Sequence, residues 1–497
     1  MKTGNRERNK LIRQWLFIAA LLLAPFAGLA AQEDFGFGDS DFAFGSSDFG
    51  FSSPGLSVSI GGELKAGFTG YFDYCGSPEK FKKIRLGDVV SGNLSFEAGS
   101  SIAQAVIKLN LTPVFDGSSP VAIDEAYLRA FFGPITIEGG LRKLSWGKAD
   151  SLGPLDIINP LDYSDLSKLS NPQSIKIARP MIRASWAMGS FSKLEGIFVP
   201  WFQGHKFETD LFGRWTPSQV SGLIPALIGG LQSTILNDPG LEAMYPIIAG
   251  ELAKMQDEID IKKYYWDKDF SLRYAQAGMR FTTTIGSSDL GFQYYFGRFP
   301  RPSINIVLDD FIAGLPVVDP EAISVNVYYN YYHHIGIDFA RVIAGFNMRA
   351  EAGANITKDT NGTDGAVENP AIVWSLGFDR DLFWGINLNM QGVGKFRLLH
   401  SKIGSSPLAD CEAGTKLSST RITGILSRKF LRDELELKTS ALWGIEDKDF
   451  LIMPSVSWSR NDVSAEIAAG FFGGDRKGEL GQYRDNGYIR FSLAYKF

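Results

Sequence analysis

The last ten residues, Tyr488-Ile489-Arg490-Phe491-Ser492-Leu493-Ala494-Tyr495-Lys496-Phe497, alternate without a break. Ile489, Phe491, Leu493, Tyr495 and Phe497 share one parity, and Tyr488, Arg490, Ser492, Ala494 and Lys496 share the other. A strand turns successive side chains to opposite faces, so this stretch is a ribbon with one greasy side and one polar side. The same period recurs upstream. Ala103, Ala105, Ile107, Leu109 and Leu111 oppose Gln104, Lys108 and Asn110; Ile386, Leu388 and Met390 oppose Asn387, Asn389 and Gln391. Leu435, Leu437 and Ala441 oppose Glu436, Lys438 and Ser440; Val463, Ala465, Ile467 and Phe471 oppose Ser464 and Glu466. A soluble sandwich would need a second apolar layer for these faces, and the sequence offers none. A closed barrel in a bilayer meets the need, with hydrocarbon outside and water or polar packing inside.

The connections support that reading. Short turns fall at Gly99-Ser100, Gly133-Pro134, Gly189-Ser190, Ser287-Ser288-Asp289, Arg432-Asp433 and Ser459-Arg460-Asn461. Long ones fall near 74–83, 113–121, 147–178, 202–270, 299–322, 357–368, 399–417 and 474–487. Short turns at one end and long loops at the other mark outer-membrane barrels. The expectation is an all-β, transmembrane antiparallel β-barrel of 18 strands, with 16 as the alternative, carrying a helical extracellular loop insertion. The strands are expected near 56–72, 84–98, 102–112, 122–132, 135–146, 179–188, 191–200, 271–285 and 289–298. The second half follows at 323–341, 345–356, 370–380, 384–397, 418–430, 434–444, 450–458, 462–472 and 488–497. Trp186, Trp374, Trp384 and Trp443 fall near strand ends on the apolar parity, where a membrane boundary favours aromatic rings.

Ahead of the barrel, Lys2, Arg6, Arg8, Lys10 and Arg13 precede an apolar run from Trp15 to Phe26 and then Gly28-Leu29-Ala30-Ala31. This is the three-part export signal, 1–31. Residues 32–55 form a periplasmic tether, in which Asp-Phe-x-Phe recurs every seven residues from Asp34, Asp41 and Asp48. Its Gly, Ser and Phe composition cannot build a core alone. The 56–497 body is the barrel. The chain as a whole is 44 % apolar, too much for disorder, and holds only 2 Cys, too few for a disulfide scaffold. A net charge of −5, left more acidic once the basic leader is set aside, argues against nucleic acid as a partner.

An 18-strand lumen is wide enough for water, so something inside must limit it. The long loop 147–178 is the candidate, because some 30 residues without regular pattern are usually functional. Gly153-Pro154, Asn159-Pro160 and Asn171-Pro172 set turns in it. It carries Asp150, Asp156, Asp162 and Asp165 against Lys148, Lys168 and Lys176. The strands on either side hold Glu138, Arg142, Arg183, Lys193 and Glu195 on the inward parity. The expectation is a pore constriction in which the four loop aspartates face Arg142 and Arg183. Opposed charges at a narrow point set a field that orients polar solutes.

Gly140-Leu141-Arg142-Lys143-Leu144-Ser145-Trp146-Gly147, then Ile158-Asn159-Pro160-Leu161-Asp162, then Arg179-Pro180 and Phe198-Val199-Pro200, resemble a family of uncharacterised bacterial outer-membrane β-barrel proteins. Trp146, Gly147, Asn159 and Pro160 carry the likeness, and Lys148 stands where that pattern has an acidic residue. A final aromatic residue also resembles the closing strand of bacterial outer-membrane barrels. The resemblance implies a porin-like channel in the outer membrane, with Phe497 presented to the barrel-assembly machinery. It implies no solute.

In 202–270, Val220, Leu223, Ile224, Leu227, Ile228 and Leu231 recur at helical spacing, and so do Leu241, Met244, Ile248, Leu252, Met255 and Ile259. A helical hairpin is expected there, packed over the barrel mouth. His333 and His334 are adjacent, point to opposite faces of a strand and cannot share a metal. Asp359 to Gly365 has oxygen-rich spacing but no closing acid at the right distance, and reads as a surface turn. Cys75 and Cys411 fall in separate loops, where oxidising conditions allow a bridge without requiring one. No catalytic motif and no metal or cofactor pattern is present, so no enzyme is expected. The sequence points to passive diffusion of small solutes through a monomer or homotrimer in outer-membrane lipid. The alternatives are a facilitator of hydrophobic-compound uptake and a closed-barrel surface adhesin.

Overall fold

The computed structural model describes residues 51–53, 55–72, 90–112, 121–150, 152–208, 213–217, 272–307, 324–405 and 410–497. The export signal, nearly all of the tether, Cys75 and both helical runs of the fourth long loop lie outside the described residues.

Eighteen strands form a closed antiparallel β-barrel. The first nine are β1 Leu56–Phe72, β2 Val90–Gly99, β3 Ala103–Leu111, β4 Val121–Phe132, β5 Ile135–Arg142, β6 Arg179–Met188, β7 Ser192–Val199, β8 Gln276–Ile285 and β9 Ser288–Arg298. The others are β10 Tyr331–Ile343, β11 Phe346–Thr357, β12 Ala371–Asp381, β13 Ile386–Arg397, β14 Ser418–Phe430, β15 Leu435–Gly444, β16 Asp449–Arg460, β17 Val463–Gly474 and β18 Gly487–Lys496. Each pairs with its sequence neighbours, and β18 returns to β1 in a register running from Glu63 opposite Lys496 to Phe72 opposite Gly487. Phe497 completes the seam by exchanging backbone hydrogen bonds of 2.9 and 3.0 Å with Gly62. Closure pairs each of the eighteen barrel strands on both sides, which is what hydrocarbon demands of a strand-built wall.

The two parities separate as the sequence predicts. In β18, Ile489, Phe491, Leu493 and Tyr495 are 37–49 % exposed, whereas Tyr488, Ser492 and Ala494 are 2–7 % exposed. In β10, Tyr331, His333, Ile335 and Ile337 face out while Tyr332, His334, Gly336 and Asp338 face in. Large apolar side chains are exposed on every barrel strand except β3; on β13 they are Met390 and Phe396. A water-soluble protein does not present such a surface; a bilayer covers it. Trp186 and Trp384 stand outward at the short-turn end, and Trp374 and Trp443 at the long-loop end. Among the described residues no helix is long and apolar enough to cross a membrane.

Three expectations are corrected. The strand read as 135–146 ends at Arg142. The Asn159 side chain takes the Leu144 amide at 2.8 Å and gives a 3.0 Å bond to the Arg142 carbonyl, while Glu125 takes the Lys143 amide. The ladder is thus replaced by side-chain partners, and Leu144 and Trp146 turn into a buried cluster with Ile158, Met181, Ile197, Val199, Tyr295 and Tyr332. The strand read as 323–341 is two. Ser324–Tyr328 pairs with Ser303–Val307 in a separate ribbon, and β10 begins at Tyr331. The break is fixed by Asn330, which donates to the Ala366 carbonyl at 2.7 Å and to Ser303 and Glu368. The strand read as 271–285 begins at Gln276, after a 3-10 turn at Leu272–Tyr274. A short outermost strand, Phe51–Ser53, pairs with the start of β1.

Candidate functional site

The inward face of β3 to β10 is a wall of paired charges. Glu138 sits among three arginines: Arg129 Nε at 2.5 Å, Arg183 Nη1 at 3.0 Å, and Arg142, which donates to its second oxygen. Arg183 also pairs with Glu195, Lys193 lies 3.5 Å from the same carboxylate, and Trp146 Nε1 donates to it at 2.6 Å. Lys108 meets Glu125 at 2.8 Å, and Arg280 meets Asp338 and Gln293 at 2.6 Å each. Register explains the matching. Glu138 is directly opposite both Arg129 and Arg183, and Arg280 is opposite Gln293. Opposed side chains in neighbouring strands are about 5 Å apart, nearer than anything across a lumen.

The loop between β5 and β6 runs inside the barrel. Leaving β5, it follows the inner wall of β8 to β13. Lys148 lies 3.6 Å from Asp289 of β9, and the Leu155 carbonyl accepts from Gln293 at 3.0 Å. Asp150 reaches Arg349 of β11 and Asn389 of β13, and its amide donates to Gln391 at 2.9 Å. The loop then doubles back. Asn159 Nδ2 binds the Ile177 carbonyl at 2.8 Å, the Pro160 carbonyl accepts from Ile177, and Asp156 meets Lys176 at 2.5 Å. Burial pushes the Asp156 carboxyl above its usual range, against the pull of Lys176. The tip reaches the opposite side: Tyr488 donates to the Ser167 carbonyl at 3.1 Å, and Arg490 to its hydroxyl at 2.5 Å. Leu166 is buried there with Leu451, Met453, Phe472 and Tyr488.

The expected aspartate-to-arginine field is therefore not what forms. Arg142 and Arg183 are taken by Glu138 and Glu195 on their own wall. Each loop carboxylate has another partner. Asp150 has Arg349, Asp156 has Lys176, Asp162 has Lys206 and the Ser164 amide, and Asp165 caps the short Leu166–Lys168 turn through Ser167. The motif residues are brought together: Trp146 in the buried cluster, Gly147 against β11, and Asn159 with Pro160 tying the two arms.

Besides Asp162, at 33 %, several other charges keep contact with water. Lys148 and Asp289 retain 32 % and 45 % of their side-chain surface, Lys193 42 %, and Arg349 and Asp379, 2.7 Å apart, 20 % and 26 %. Asp289 and Asp379 were not singled out by the sequence. Asp289 looks like part of a turn, and only the β8–β9 register, with Ser288 opposite Ile285, shows it to be the first inward position.

The fourth loop also enters. His205 Nδ1 accepts the Leu161 amide at 2.8 Å, Lys206 donates its amide to the Leu161 carbonyl and accepts from the Tyr163 amide, and the His205 ring meets Tyr163 and Phe207 edge-on. Burial holds His205 well below its ordinary range, and Arg301 and Arg179 push the same way. Further on, Trp215 is buried among Tyr71, Phe472 and Tyr483, and its carbonyl accepts from Tyr483. Nothing in the pattern of 213–217 predicts this anchor beyond one Trp in a polar stretch.

His333 faces out and bonds Tyr294, while His334 faces in and bonds Asn355, each at 2.7 Å. Asp359 closes on its own turn through the Asn361 and Asp364 amides. Among the described residues no group of three metal-ligating side chains converges. Burial pushes the Cys411 thiol up to about 12.

No protein-family model matches the sequence, and no curated protein does. Solved structures of similar shape include Acinetobacter baumannii OccAB4, at 9 % identity over 88 % of this chain and 98 % of that chain, with a TM-score of 0.46. Salmonella typhi OmpF in complex with daunomycin gives 7 %, 90 %, 100 % and 0.41. The outer membrane channel DcaP of Acinetobacter baumannii gives 10 %, 90 %, 99 % and 0.39. At these values the likeness is one of barrel shape and says nothing of solute or site.

Proposed function

We propose that the protein is a passive diffusion channel for small polar solutes in the outer membrane of a diderm bacterium. The supporting observation is the inward course of 143–178, joined to β9, β11 and β13 on one side and to β18 on the other. Such a loop narrows a lumen that 18 strands would otherwise leave wide. Inward charges such as Lys108, Lys193 and Asp289 keep 30–45 % of their side-chain surface, as groups lining water do. In this reading a passing solute meets Lys148, Asp289, Asp150, Arg349, Asp379 and Lys193. Glu138, Arg142 and Arg183 are wall structure. Mixed signs at that point favour neutral or zwitterionic polar solutes over a strong single-sign filter.

Liposome swelling tests the reading. Proteoliposomes in sugars of graded size should swell at rates that fall with solute size. No sugar entry together with uptake of a long-chain acid would replace it with a facilitator of hydrophobic compounds.

A further inference from the structure

Along 147–155 the Leu155 side chain is fully buried, and the polar contacts that hold the segment converge on one strand. Glu351 and Arg349 are both inward on β11, two residues apart. The Glu351 carboxylate accepts the Lys148 amide at 2.5 Å and the Ala149 amide at 2.8 Å on Oε1, and the Leu155 amide at 3.4 Å on Oε2. Two glycines make the approach possible. A Cβ on Gly147 would lie 2.3 Å from Oε1, and one on Gly153 would lie 2.6 Å from Oε2. Gly147 also has φ +100°, a conformation other residues rarely adopt. Between these glycines Arg349 neutralises Asp150. An anion ringed by backbone N–H groups is the arrangement of an anion nest, with the barrel wall supplying the anion.

We infer that Glu351 is a positioning residue that clasps the 147–155 segment to β11 and thereby sets the width of the passage. This rests on the channel reading for its consequence, though not for its geometry. The clasp is short and electrostatic, so it can be opened by changing either side of it. Glu351→Gln keeps an acceptor for Lys148 and Ala149 but turns an amide NH2 toward Leu155. Gly153→Ala leaves the barrel wall untouched and crowds both Ala149 Cβ, at 2.5 Å, and the carboxylate, at 2.6 Å, so that the segment must shift off its seat.

Amide hydrogen exchange on purified, detergent-solubilised protein reads the clasp directly. Glu351→Gln should raise exchange at Leu155 about tenfold or more, with less effect at Lys148 and Ala149, while amides of β14 to β17 keep wild-type protection. Gly153→Ala should release all three, and it decides alone if Glu351→Gln does not fold. Wild-type protection of the three amides in a folded variant overturns the inference. Single-channel recording then separates the two ideas. Larger, noisier steps in the variants support the clasp and its consequence together. A wild-type protein that does not conduct, with amides still released in the variants, removes the channel reading and leaves the clasp standing.

Discussion

Glu138 shows how a charged residue survives inside this wall. Its carboxylate is 4 % exposed and touches Arg129, Arg142 and Arg183. Removing the anion takes an ion-pair partner from Arg142 and Arg183, each 6 % exposed, and leaves Arg183 with Glu195. Breaking a buried ion pair from one side costs about 3–5 kcal/mol, so Glu138→Ala should lower the unfolding midpoint in urea markedly. A midpoint equal to wild type would mean that these cations find other partners. The exposed cations behave differently. Replacing Lys148 and Lys193 with Gln removes positive charge from the passage and leaves Asp150, Asp289 and Asp379, so reversal potentials in a salt gradient should move toward cation preference. An unmoved reversal potential would place both lysines off the path. The inward parity of Glu138, Arg142, Arg183 and Glu195 was legible in the sequence, because parity needs only a count of two. Their pairing was not, because it depends on register between strands, and register is set by turn lengths and closure.

At the scale of elements, one amide side chain ties the start of the 143–178 loop to its returning arm, beside the Pro160–Ile177 backbone bond and the Asp156–Lys176 pair. Asn159 serves the Leu144 amide and the Arg142 and Ile177 carbonyls. Asn159→Ala leaves buried groups without partners, at about 1–3 kcal/mol, and protease cleavage within 143–178 should quicken while the barrel stays resistant. Equal cleavage would show that Pro160 and the Asp156–Lys176 pair suffice. The contact between the third and fourth loops should depend on pH through His205. Its folded-state pKa is depressed by burial, so it stabilises the contact above the unfolded value of about 6.5, and that contribution is lost as pH falls below it. Protonation would also take the Nδ1 lone pair from the Leu161 amide. Protection at that amide, taken relative to its intrinsic exchange rate at each pH, should therefore fall on acidification, and this pH dependence should vanish in His205→Phe. The sequence placed the functional weight on this loop for sound reasons, its length and its turns. It misjudged where β5 ends because the amides past Arg142, those of Lys143 and Leu144, are taken by the side chains of Glu125 and Asn159, which no local pattern shows; the only local sign is that Leu144 and Trp146 put apolar side chains on the inward parity of Glu138 and Arg142. The split at Asn330 was hidden for the same reason: a side chain, not a Pro or Gly, makes the break.

For the whole molecule, strand number was readable because each ribbon announces one lipid face and each short turn fixes the next ribbon's direction. Closure followed from the parity of the count and from the alternation of the final strand, which pairs with β1 over ten residues. What the lumen does was less readable, since it depends on where a long loop goes after it leaves the wall, and that is decided by contacts with strands more than 200 residues away, such as Ala149 with Glu351. The central claim is that water-filled space remains beside this inward loop and joins the two sides of the membrane. Planar-bilayer recording of the purified, folded protein tests it most directly. Discrete, ohmic conductance steps are predicted; a folded protein that inserts and gives no steps at any voltage would contradict the account.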